Sequence, residues 1–103
     1  MRIDVYQSLE EALEKSMLRD IDHILIRHSY SKGTKIIPHI HSDADEYVIA
    51  SKGHFIIHSE NVIKEFDLNG ETVTVIYYSA GRDHGLQVLG DKLDYFVLRK
   101  PVK

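Results

Sequence analysis

The stretch Gly33-Thr34-Lys35-Ile36-Ile37-Pro38-His39-Ile40-His41-Ser42-Asp43-Ala44-Asp45-Glu46-Tyr47-Val48-Ile49-Ala50-Ser51-Lys52-Gly53 decides how the chain is read. His39 and His41 stand two residues apart, and in a β-strand such residues point to the same face. A strand ending in His-x-His presents two imidazoles side by side, which is how an imidazole-rich metal site begins. Glu46 follows at an odd offset, which would put it on the opposite face of one continuous strand. Ser42-Asp43-Ala44-Asp45 reads as a turn, so Glu46 can open a second strand and face back toward the histidines. Alternation from Glu46 then places Val48 and Ala50 on its side, and Tyr47 and Ile49 on the other.

The spacing resembles the first motif of the cupin superfamily: Gly, five residues, His-x-His, four residues, Glu, six residues, Gly. Gly33, His39, His41, Glu46 and Gly53 fill every fixed position, and Pro38 before the first histidine is also common there. A second cupin motif runs Gly, five residues, Pro-x-Gly, two residues, His, three residues, Asn. Gly81 and His84 supply its Gly and His, while Val73, Ser79 and Val88 replace the leading glycine, the proline and the asparagine. An isolated His-x-His is commonly a surface pair. The full first motif joined to a later Gly-x-x-His is much harder to reach by chance.

The resemblance covers Gly33 to Leu98. It implies an all-β chain, a double-stranded β-helix or jelly-roll barrel, with one short N-terminal α-helix left outside its reach. It further implies a metal site of His39, His41, Glu46 and His84. Three neutral imidazoles and a carboxylate suit one divalent ion of Fe, Mn, Ni, Zn, Co or Cu, with positions left open for water, substrate or O2.

Composition bounds the alternatives. The 103 residues fit a single small domain over 1–103. The net charge of -3 comes with scattered basic residues, which offers no stripe for a nucleic-acid backbone. No apolar run reaches the ~20 residues of a membrane helix, and the N-terminus lacks a secretory pattern, so a cytoplasmic protein is expected. Cysteine is absent, which removes disulfides and thiolate chemistry.

Ser8-Leu9-Glu10-Glu11 is a capping-box pattern, and Leu9, Ala12, Leu13 and Met17 recur at helical spacing. This predicts a helix over Leu9–Leu18 after an extended Met1–Tyr6. From Ile21 strand-like runs alternate with turn signals to Arg99, so the barrel is expected over about 21–99. Predicted turns fall at Lys52-Gly53, Ser59-Glu60-Asn61, Asn69-Gly70, Ala80-Gly81 and Gly90-Asp91. Asn69-Gly70 is the strongest hairpin signal, because both residues tolerate positive φ. Lys100-Pro101-Val102-Lys103 reads as a polar tail.

Other residues carry plainer expectations. Asp43 and Asp45 could join an ion but read as solvated turn residues. Asp83 either orients an imidazole or sits in a surface turn. His54 and His58 read as ordinary strand residues, and His23 and His28 show no identifiable chemistry. Tyr77, Tyr78 and Tyr95 could place hydroxyls in a pocket, although tyrosine in strands more often packs. Tyr47 is directed away from the pocket by the alternation.

Three functional classes follow. The first is an enzyme on a small molecule, a metal-dependent dioxygenase or other oxygenase, or an isomerase, with Glu46 as a candidate proton carrier. The second is a non-catalytic module that binds or senses a small metabolite or sugar. The third is a barrel with vestigial histidines. A homodimer is expected, since a barrel this small gains buried area by pairing.

Overall fold

The computed structural model describes residues 1–16 and 24–102. Seven strands, β1 (Arg2–Tyr6), β2 (Ile24–Ser31), β3 (Lys35–Ile40), β4 (Ala44–Ser59), β5 (Val62–Tyr78), β6 (Asp83–Val88) and β7 (Lys92–Pro101), accompany one helix, α1 (Leu9–Lys15). All pairings are antiparallel. The expected double-stranded β-helix is what the chain forms.

Two long strands make the architecture. The first half of β4 pairs with β7 through Ala44–Ile49, and its second half pairs with β6 through Phe55–His58. β5 follows β4 along both halves, with a register break between Ala50 and Lys52. One half of the sheet is therefore β1, β5, β4, β7 and β2, and the other is β5, β4, β6 and β3. The halves face each other. Val48, Ala50, Ile76, Tyr95 and Val97 from the first meet Phe55, Ile57, Phe66, Leu86 and Val88 from the second in one buried cluster. Fully burying side chains such as Phe55, Ile57 and Ile76 contributes roughly 1.5–3 kcal/mol each.

The register break corrects two expectations. Lys52-Gly53 and Asn69-Gly70 are not turns between strands. Lys52 pairs with Asn69 and Ala50 with Thr74, so Ser51 alone opposes the residues from Gly70 to Val73. Both strands bend there to cross from one half to the other, and the Ser51 hydroxyl donates to the Thr72 carbonyl at 2.7 Å to hold the bend. Gly53, at φ +139°, packs against Leu93, whose Cδ1 would lie 2.6 Å from an added Cβ. The tight hairpin turn is instead Glu60-Asn61, both at positive φ, the pair of conformations a two-residue turn requires. Asn69-Gly70 served a bulged corner because such a corner asks for the same backbone freedom.

The N-terminal segment is more integrated than expected. β1 pairs with Val73–Tyr77 at the sheet edge. Ser8 caps α1 by accepting the Glu11 N–H at 3.1 Å, as the capping-box pattern requires. Ala12 is fully buried on the outer face of the first half, in a second cluster with Tyr47, Ile49, Val75 and Leu98. The helix as described ends at Lys15 with Ser16 as its cap. Met17 and Leu18 of the predicted helix, the start of the predicted barrel at Ile21, and His23 lie outside the described residues. Lys100 and Pro101 are not a free tail: they extend β7 opposite Asp45 and Ala44.

Candidate metal centre

The β3–β6 pairing builds the centre. His39 and His84 are direct cross-strand partners, with ring centroids 4.5 Å apart. The pairing slips between Ile36 and His39, and Gly85 is why it can. A Cβ on Gly85 would come within 2.8 Å of the Ile36 carbonyl and 2.9 Å of the Pro38 nitrogen. Only a residue without a side chain admits β3 that closely beside His84. His41 follows at the end of β3, 4.8 Å from the His39 ring.

One nitrogen from each of His39, His41 and His84 lies within 4.8 Å of the others. Nδ1 of His39 is 3.0 Å from the Ile37 carbonyl and Nδ1 of His84 is 3.3 Å from the Arg82 carbonyl. A proton donated from Nδ1 to those carbonyls leaves the lone pair on Nε2, the arrangement typical of metal-binding imidazoles. Burial, with the nearby Arg99 guanidinium, lowers the pKa of His41 and favours its neutral form.

Glu46 stands beside this three-histidine group, on the side the turn argument expected. It is 5 % exposed, on the face shared by Val48 and Ala50, while Tyr47 and Ile49 belong to the outer cluster. Its carboxylate oxygens lie 2.6 Å from His84 Nε2 and 4.0 Å from His41 Nε2. Arg99 Nε donates to the same carboxylate at 3.1 Å. Burial alone would raise the Glu46 pKa, but His84 and Arg99 outweigh it and bring the value to about 2. Arg99, charged throughout this range, is the firmer of the two causes.

His84 supplies the test of fit. It is 7 % exposed, and its buried Nε2 faces the Glu46 carboxylate at 2.6 Å without a hydrogen bond of good geometry. Two acceptors set that close repel each other unless a proton or a cation lies between them. The nitrogens need to close from 4.8 Å to the roughly 3–3.5 Å that bonds of ~2.1 Å to one ion imply. The donor set therefore fits a divalent first-row ion.

The turn before His84 is rebuilt without the motif's proline. The Asp45 carboxylate accepts the Ala80 N–H at 2.8 Å, and the His41 carbonyl accepts the Gly81 N–H at 2.9 Å. Asp45 is thus neither a ligand nor a solvated bystander. Asp83 does not orient an imidazole: its carboxylate accepts the Glu60 N–H at 2.9 Å and steadies the β4–β5 turn. Val88, in place of the asparagine, is a core residue at 1 % exposure.

The centre opens on a cavity of about 190 Å3 lined in part by His39, Glu46, Tyr78, His84, Tyr95 and Arg99. The Tyr78 ring stacks on His84 at 4.6 Å. Burial, with the Glu46 charge adding, raises the pKa values of both Tyr78 and Tyr95, so they remain hydroxyl donors. A larger concavity of about 800 Å3, bordered by Leu9, His54 and Phe96, includes none of the clustered histidines. Three cavity residues were missed or undervalued from sequence. His28 lines the cavity, as does Arg99, which continues the inward series Leu93, Tyr95 and Val97. Tyr95 is a wall residue as well as packing. Period-two counting along β2 and β7 was the available signal. His54 behaves as expected, paired with Glu65 at 2.8 Å outside the centre. Among the described residues no helix is long and apolar enough to cross a membrane.

No family model matches the chain, and no curated protein matches it either. Solved structures do. KdgF from a Halomonas species aligns with a TM-score of 0.67 at 17% identity, over 80% of this chain and 72% of that one. A predicted oxalate decarboxylase from Thermotoga maritima aligns with a TM-score of 0.67 at 14% identity, over 97% and 81%. An RmlC-like cupin from Methanocaldococcus jannaschii aligns with a TM-score of 0.64 at 16% identity, over 77% and 70%. The chain has the cupin fold. At these identities the likeness speaks for the fold alone.

Proposed function

We propose that this chain binds one divalent first-row metal ion through His39, His41, Glu46 and His84 and acts with it on a small molecule, as an oxygenase or isomerase. The observation that carries the reading is the convergence of one nitrogen each from His39, His41 and His84 within 4.8 Å, with the Glu46 carboxylate 2.6 Å from His84 Nε2, at a cavity wall. A bound ion would supply Lewis acidity, or electron exchange if redox-active, to a substrate in the cavity.

The protein's own groups divide the remaining work. Glu46, with a pKa of about 2, is a poor proton acceptor at neutral pH. Its part in this reading is ligation and charge balance. The Tyr78 and Tyr95 hydroxyls offer donors to a bound oxygen, and Arg99 brings a fixed positive charge to the wall. The apolar remainder, Val48, Ile57 and Val97, limits water around the ligand.

The test is metal content by inductively coupled plasma mass spectrometry, on tag-free protein prepared without chelator. About one ion per chain, lost in His39→Ala/His84→Ala, is the expected result. Full metal content in His39→Ala, His41→Ala and His84→Ala alike would overturn the site. The alternative, a non-catalytic binder of a small metabolite or sugar, draws on the cavity's hydroxyl donors. It predicts ligand-dependent thermal stabilisation with no turnover in any metal state. A homodimer stays part of the proposal, and light scattering that finds only the 11.9 kDa chain would remove it.

A further inference from the structure

We propose that His28, backed by Tyr30 and Tyr95, forms a second polar subsite in this cavity, one that takes a carboxylate of a small ligand. It deepens the metal reading, on which it rests only for the position of the ligand's other end.

His28 and Tyr30 alternate on β2, and the register sets His28 directly opposite Tyr95 on β7. All three line the cavity that also holds His39, Glu46 and His84. The Tyr30 hydroxyl is 3.0 Å from Nδ1 of His28, and the two rings stack at 5.4 Å. The His28 and Tyr95 rings lie 5.3 Å apart. Tyr95 is 5 % exposed, and its ring lies 6.0 Å from that of Tyr30. In the proposed subsite the Tyr30 hydroxyl donates to Nδ1 of His28. The imidazole then carries its proton on Nε2, which no described residue bonds.

With that assignment the free nitrogen is a donor inside a cavity that already carries the Arg99 guanidinium. A site whose free polar groups are donors recognises an acceptor, best of all an anionic oxygen. The ligand this subsite calls for is a compact acid with a second oxygen function at its other end, directed to the histidine cluster. Nothing in the reading needs bond making at His28, so it is a binding residue.

The experiment uses tag-free, uniformly 15N-labelled protein, with and without Zn2+. Long-range 1H–15N spectra report each imidazole, and the His28 signal is assigned by its loss in His28→Gln. The probe is malonate, and neutral malonamide of the same shape is the control. Malonate is expected to shift the His28 Nε2 signal saturably in both metal states, with malonamide much weaker. Tyr30→Phe, which keeps the ring and removes the hydroxyl, is expected to weaken malonate about 3–10-fold with Zn2+ uptake unchanged. No His28 shift in either state, an equal response to malonamide, or unchanged malonate affinity in Tyr30→Phe would each overturn the subsite. Failure of Zn2+ to bind while His28 still responds to malonate would overturn the metal reading and leave this one standing.

Discussion

Arg99 Nε lies 3.1 Å from the Glu46 carboxylate, so the acid assigned to an ion is already held by a guanidinium from β7. The contact keeps a buried carboxylate ionised in the absence of metal. It would also compete with a bound metal ion for the same oxygens.

Arg99→Met separates those two effects. The metal-free protein should lose about 1–3 kcal/mol, because a buried carboxylate is left without its charged donor. Zn2+ should stabilise the variant more than the parent, since neither competition nor repulsion from Arg99 remains. Thermal unfolding with and without Zn2+ checks this, and an equal Zn2+-induced shift in both proteins would refute it.

The pH dependence has a defined sign. The Glu46 pKa falls from 4.5 unfolded to about 2 folded, so its contribution is full above pH 4.5 and is lost as pH falls toward 2. The His41 pKa is also lowered, from 6.5, by burial and Arg99. Its contribution is full above 6.5 and is lost on acidification. In both cases the unfolded chain binds more protons, so stability drops with pH. Urea titrations of the metal-free protein should show a decline beginning below 6.5 and a further one below 4.5. Glu46→Gln should abolish the lower step.

Gly85→Ala tests the backbone device beside His84. The added Cβ meets main-chain atoms of Ile36 and Pro38, which cannot swing aside as a side chain would. A loss of about 1–3 kcal/mol is expected, with reduced metal content because His39 no longer lies squarely across from His84. Unchanged melting and metal content would show that β3 can shift without cost.

Asp45→Ala and Asp43→Ala form a matched pair. The first removes the acceptor for the Ala80 N–H and should cost about 1–3 kcal/mol. The second removes an exposed side chain and should stay within about 0.5 kcal/mol. Equal denaturation midpoints for the two variants would mean that Asp45 does not hold the turn.

His39, His41 and Glu46 were legible because their geometry is local: the histidines share a face by strand period and a polar turn brings Glu46 back. His84 is distant in the chain and was read only from the second motif's spacing. The bend at Ser51 was not legible. An Asn-Gly pair announces positive φ, and a hairpin and a bulged corner ask for the same thing. Only the partner strand decides between them. Arg99 and His28 were hidden for a different reason: each is a polar residue at an inward position, where alternation is normally read from apolar residues. Asp45 was misjudged because its role depends on Ala80, which is distant in sequence.

The two long strands joined at Glu60-Asn61 also bear on the order of assembly. Pairing β4 with β5 extends from one tight turn, so each new contact closes little additional loop. His39 opposite His84 requires the whole β4–β5 hairpin to lie between them in the chain, a non-local closure of the kind that slows folding. The hairpin is expected to form early and the histidines to meet late. A metal ion added during refolding should then leave the early phase unchanged and accelerate, or lock, only the last one.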